Sequence, residues 1–118
     1  MKNLDRIRER FLKDPLPRRL GALAADLARV ASLARHANGG GETTALMIEE
    51  SQYFIEWTAV EVASEVATEL VDIQVMLALW RRMWPEVHQS QMQCALLSFQ
   101  AKKWSDQVLN YSGLLSSN

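Results

Sequence analysis

Carboxylates dominate the middle of this 118-residue sequence. Glu49, Glu50, Glu56, Glu61, Glu65, Glu69 and Asp72 follow one another with no Lys or Arg between them, and Glu42 extends the base-free stretch to residues 36–80. On a helix, Glu61, Glu65 and Glu69 stand four apart and repel. Water and salt, a basic segment of the same or a partner chain, or a divalent cation could relieve that repulsion. Hard cations such as Mg²⁺ take oxygen ligands. Two antiparallel helices can present such ligands into one cleft, and Glu49 and Glu50 lie about as far before Thr58 as Glu65 and Glu69 lie beyond it.

The elements that must position these acids are all helical. Leu4, Ile7 and Phe11 have helical spacing, and Pro15 and Pro17 should end that short first helix. A second helix is expected over about 18–37, with Leu20, Leu23, Leu27, Val30 and Ala34 as its core seam. Small residues along it, among them Gly21, Ala24, Ala28 and Ala31, would let another helix approach closely, in a dimer or within one bundle. Asn38-Gly39-Gly40-Gly41 ends the element. A third helix should open at Thr43 or Thr44 and reach about Trp57.

Thr58-Ala59-Val60-Glu61 has the pattern of a capping box, so a fourth helix is expected from Thr58 to Trp84. Pro85 should then break the chain and open a last helix over about 86–111. Its seam is Cys94, Leu97, Ala101, Trp104, Val108 and Tyr111. Gly113 should close it, with Ser116-Ser117-Asn118 as a frayed tail. No strand-type alternation occurs. The expected fold is all-α: one antiparallel bundle of four main helices plus a short N-terminal helix, spanning 1–118.

Glu49-Glu50-x-x-Tyr53, followed by Glu69-x-x-Asp72, resembles the signature of the MazG-like all-α nucleoside triphosphate pyrophosphohydrolases. The resemblance covers roughly residues 44–80. It implies an oligomeric helical bundle that cleaves a nucleotide between its α- and β-phosphates with Mg²⁺. Carried over by position, Glu50, Glu69 and Asp72 would hold the metal. Glu49 or Glu65 would orient the attacking water, and Lys102 or Lys103 would contact the leaving pyrophosphate. Tyr53 departs from the pattern, which has a fourth acid there, and a neutral phenol is a poor Mg²⁺ ligand. The run from Glu50 to Trp57 is also similar to small helical proteins of cyanobacteria, which implies a lineage and no activity.

Charge distribution supports a competing reading. Residues 1–35 are net +5, residues 36–80 net −8 and residues 81–118 net +2. The first third could lie against the middle third, or such blocks could pair between chains. The protein would then be a non-catalytic helical interaction or dimerisation module with an acidic docking face. The basic first helix has no aromatics to stack bases beyond one apolar Phe, which argues against nucleic acid. Ile73–Trp80 is too short to span a bilayer. With one cysteine, Cys94, and no apolar leader, the chain is expected in the cytoplasm. His36 and His88 lack zinc-type partners in sequence. Cys94 and the four tryptophans are expected in the core or at an interface.

Overall fold

The computed structural model describes residues 3–113; the expected tail at 116–118 lies outside them. Five α-helices form α1 (Leu4–Lys13), α2 (Leu16–Leu33), α3 (Gly41–Ala59), α4 (Ser64–Val87) and α5 (Gln91–Ser112). A short 3₁₀ turn, Ala37–Gly40, joins α2 to α3. The four long helices make an antiparallel bundle, with α2 packed between α5 and α3, and α3 packed on α4. Contact between α4 and α5 is much thinner. None of these helices is long and apolar enough to cross a membrane.

Both expected seams are core. Leu20, Leu23, Leu27, Val30 and Ala34 of α2 are buried, as are Cys94, Leu97, Ala101 and Val108 of α5; Trp104 and Tyr111 are half-buried. The small residues of α2 serve this packing within the chain. Ser98 Oγ and Ser105 Oγ of α5 donate to Ala31 O and Ala24 O of α2, each at 2.7 Å. Seven residues separate the two donors and the two acceptors. Both hydroxyls therefore fall on one face of α5, two turns apart, and staple the two backbones together.

Several boundaries differ from the sequence reading: α2 ends at Leu33 rather than near 37, and α3 opens at Gly41, with no side-chain cap, rather than at Thr43 or Thr44. Thr58 does not start a helix: α3 runs through it to Ala59, and α4 begins at Ser64. Thr58 is fully buried in the core, and the glutamate expected to complete its capping box is held elsewhere, by Arg19. Pro85 does not break the chain either. It sits in the last turn of α4, which continues to Val87, with His88 N–H bonded to Trp84 O. Proline removes one N–H and leaves the later amides free to bond. Ser90 caps α5, its side chain accepting from Gln93 N–H. At the other end of the molecule Phe11 of α1 stacks on Phe54 at 4.1 Å between ring centroids, closing the bundle beside Trp57.

Candidate functional site

Helix α3 divides the acids between its flanks. Glu49, Gln52, Tyr53 and Glu56 line a shallow hollow with Gln74 of α4. Across it Gln74 Nε2 donates to Gln52 O at 3.1 Å, and Arg81 Nε stands 3.7 Å from Glu49. Glu50 lies against α2 instead, beside Asp26. Successive residues are about 100° apart on a helix, so Glu49 and Glu50 are aimed at different neighbours.

Helix α4 shows the same separation. Gln74 and Arg81 stand on the flank of its buried stripe that meets α3. At about 100° per residue, Glu65, Glu69 and Asp72 fall on the opposite flank, and all three are exposed. Among the described residues no three acids, histidines or cysteines gather closely enough to hold a metal ion. Of the proposed ligands, Glu69 and Asp72 thus share the outer flank of α4, while Glu50 lies apart from them against α2. Tyr53 stacks on Trp57 at 5.7 Å. Lys102 pairs with Asp106 of its own helix at 2.9 Å, and Lys103 Nζ lies 5.7 Å from the Phe99 ring centre.

Two of the acids meet partners from the basic first third. Arg19, only 6 % exposed, donates through both Nη atoms to the two carboxylate oxygens of Glu61, at 2.6 and 2.9 Å. Its Nε donates to Asp14 O at 3.0 Å. This bidentate bond holds the Glu61 carboxyl below its ordinary range and raises the Arg19 guanidinium further.

Asp26 is a functional-looking residue that the sequence reading passed over. It is 2 % exposed, on the apolar side of α2. Burial first, then the neighbouring Glu50 carboxyl, pushes it up to about 8. Its Oδ1 accepts from Arg29 at 3.0 Å, and its Oδ2 is buried without a donor among the described residues. A buried carboxyl oxygen without a donor favours the neutral acid, in line with the raised value. The signal was present: Asp26 is three residues after Leu23 and four before Val30, inside the seam.

The most extended unpartnered surface runs along α4 and α5. Glu65, Glu69, Asp72, Met76, Leu79 and Met83 recur at alternating steps of four and three, and every one is exposed. They form one stripe, acidic in its first half and apolar in its second. On α5, Met92, Leu96, Phe99 and Lys103 recur in the same way, also exposed. Trp80 Nε1 donates to Gln100 Oε1 at 2.9 Å and fixes the register of the two helices. Met76, Leu79 and Met83 line a hollow of about 190 Å³ together with Trp80, Glu86, Val87 and, from α5, Gln93.

The chain matches no protein-family model, no curated protein and no solved structure in these comparisons. Its function is therefore argued from its own surfaces.

Proposed function

We propose that this protein is a non-catalytic helical interaction module whose α4–α5 face is covered by a second copy of itself. One observation carries the reading. Leu79 is 49 % exposed, Met83 49 %, Leu96 50 % and Phe99 63 %, on the outer sides of two neighbouring helices. Scattered surface apolar groups need no explanation, but a contiguous patch with a polar rim marks an interaction surface. Thin packing between α4 and α5 leaves that groove open for side chains from outside.

Charge favours a self-complementary partner. The patch carries Glu65, Glu69 and Asp72 on α4 and Lys103 on α5. In a two-fold contact each residue meets its counterpart's partner reciprocally. With Trp80 level with Gln100, Asp72 and Lys103 differ by five residues along the axis, roughly 7–8 Å at the standard rise. A two-fold that sets α4 of one copy on α5 of the other brings these opposite charges within side-chain reach. The apolar halves then bury each other. The acid series that repels within one helix gains a cation from outside it.

Sedimentation across a concentration series tests this. The wild-type chain should dimerise in the micromolar range, more weakly in high salt at its charged rim. A Leu79→Lys/Phe99→Lys double variant should be monomeric with its helical content and cooperative melt intact. A wild-type chain that stays monomeric at hundreds of micromolar overturns the proposal, as does a double variant that still dimerises.

A further inference from the structure

The opposite side of α5 starts at a second feature, independent of the α4–α5 face. Where the turn after α2 meets the turn between α4 and α5, a cavity of about 450 Å³ opens at the end of the bundle. Its polar lining is Arg35, His36, Asn38, His88, Gln89 and Gln91, and no carboxylate is among the lining residues. That is unexpected in a chain with 14 acids against 13 bases. We propose that this cavity binds a small phosphorylated ligand, with Arg35, His36 and His88 around the phosphate.

The side chains are placed for donation. Arg35 Nε donates to Ser98 Oγ at 3.0 Å, and that hydroxyl donates to Ala31 O. The guanidinium is thereby anchored on α5, with its two Nη groups left to face two oxygens of a tetrahedral phosphate. His36 Nδ1 stands 3.1 Å from Ser32 O. A carbonyl only accepts, so Nδ1 carries a hydrogen, and Nε2 donates to a phosphate oxygen when the ring is protonated or accepts from a phosphate O–H. His88 Nδ1 is buried without a hydrogen-bond partner among the described residues, its ring packed 5.9 Å from Trp84.

The backbone adds to the same polarity. Gln91 is the first residue of α5, a helix of 22 residues. The first-turn amides of a helix have no carbonyl partner within it and carry the positive end of its dipole. Ser90 takes one of these amides, that of Gln93. Beside it the wall of the cavity is bare backbone. Gly39 has φ +62°, and a Cβ there would stand 2.7 Å from Cys94 Sγ. A volume of this size exceeds a bare ion and falls in the range of small-molecule sites. It suits a phosphate monoester on a short organic body.

Histidine side-chain resonances read the site directly. Inorganic phosphate and glycerol phosphate are titrated separately at matched ionic strength, with acetate as the carboxylate control. Saturable shifts of His36 and His88 are expected with both phosphates, tighter for the ester, and not with acetate. Arg35→Gln should weaken phosphate binding about tenfold or more, the usual scale for losing a charge-assisted anion contact. Thermal melting of that variant shows whether it is folded, and Arg35→Lys, which keeps the charge, should retain part of the affinity. No saturable shift up to tens of millimolar phosphate would overturn the assignment. So would equal binding by wild type and a folded Arg35→Gln protein, or acetate binding as well as phosphate does.

Discussion

The Asp26 carboxyl, buried on α2, lies beside the Glu50 carboxyl of α3, and burial together with that neighbour raises it to about 8. Arg29, on the same helix and largely exposed, is its other charged neighbour. The pair couples the bundle's stability to pH. Asp26 is raised from 3.8 to about 8 in the folded chain, so the native state keeps a proton that the unfolded chain releases. A raised folded pKa contributes stability that is complete below about pH 4 and is lost as pH rises toward 8.

Asp26→Asn removes this ionisation while keeping the shape. Chemical denaturation at pH 5 and pH 8 should show wild type losing stability over that interval and the variant losing clearly less. At pH 8 the variant should be the more stable by about 1–3 kcal/mol, the usual cost of a poorly compensated buried polar group. A wild-type chain more stable than the variant at pH 8 would contradict the raised Asp26 carboxyl.

The Arg19–Glu61 bond has the opposite sign. Glu61 is held below its ordinary range by Arg19, so its contribution is present at neutral pH and lost as pH falls through the folded value. Glu61→Gln leaves the buried Arg19 guanidinium facing a neutral acceptor. Its melting temperature should fall at pH 7, and the gap to wild type should narrow as pH falls below the ordinary glutamate range. Because Arg19 is buried, moderate salt should not abolish the difference at pH 7.

Gly39→Ala tests the turn that carries the cavity wall. The residue is in the left-handed region, and a methyl would stand 2.7 Å from Cys94 Sγ and 2.9 Å from the Trp84 ring. Strain and overpacking act together there, and a loss of about 2–4 kcal/mol is expected by denaturant titration. Gly41→Ala, with open space around its Cβ position, should cost less.

Millimolar Mg²⁺ should leave the melting temperature where an equal ionic strength of NaCl leaves it. A ligand that binds only the native state raises stability, and Glu50 stands apart from Glu69 and Asp72, with no three such groups gathered among the described residues. A Mg²⁺-specific rise that Glu69→Gln removes, together with pyrophosphate release from a nucleotide, would restore the hydrolase reading.

Much of the fold was legible locally. Leu20 to Ala34 and Cys94 to Val108 announced their buried faces by spacing alone, because helical periodicity is a property of the backbone. The Asn38–Gly41 run marked a turn, and the structure uses left-handed conformations at Asn38 and Gly39. Thr58 misled because a capping pattern describes what a side chain can do. Core burial of its hydroxyl and the pull of Arg19 on Glu61 decided what it does.

The sequence by itself determined that the chain is a set of amphipathic helices, with its acids gathered in the middle and its small residues on α2. Only the tertiary structure decided which acid faces which helix. Glu49 and Glu50 are neighbours in the chain, yet one meets Arg81 of α4 and the other Asp26 of α2. A turn of about 100° per residue sends adjacent side chains in different directions. What waits in each direction depends on the packing order of helices distant in sequence, which no local pattern encodes.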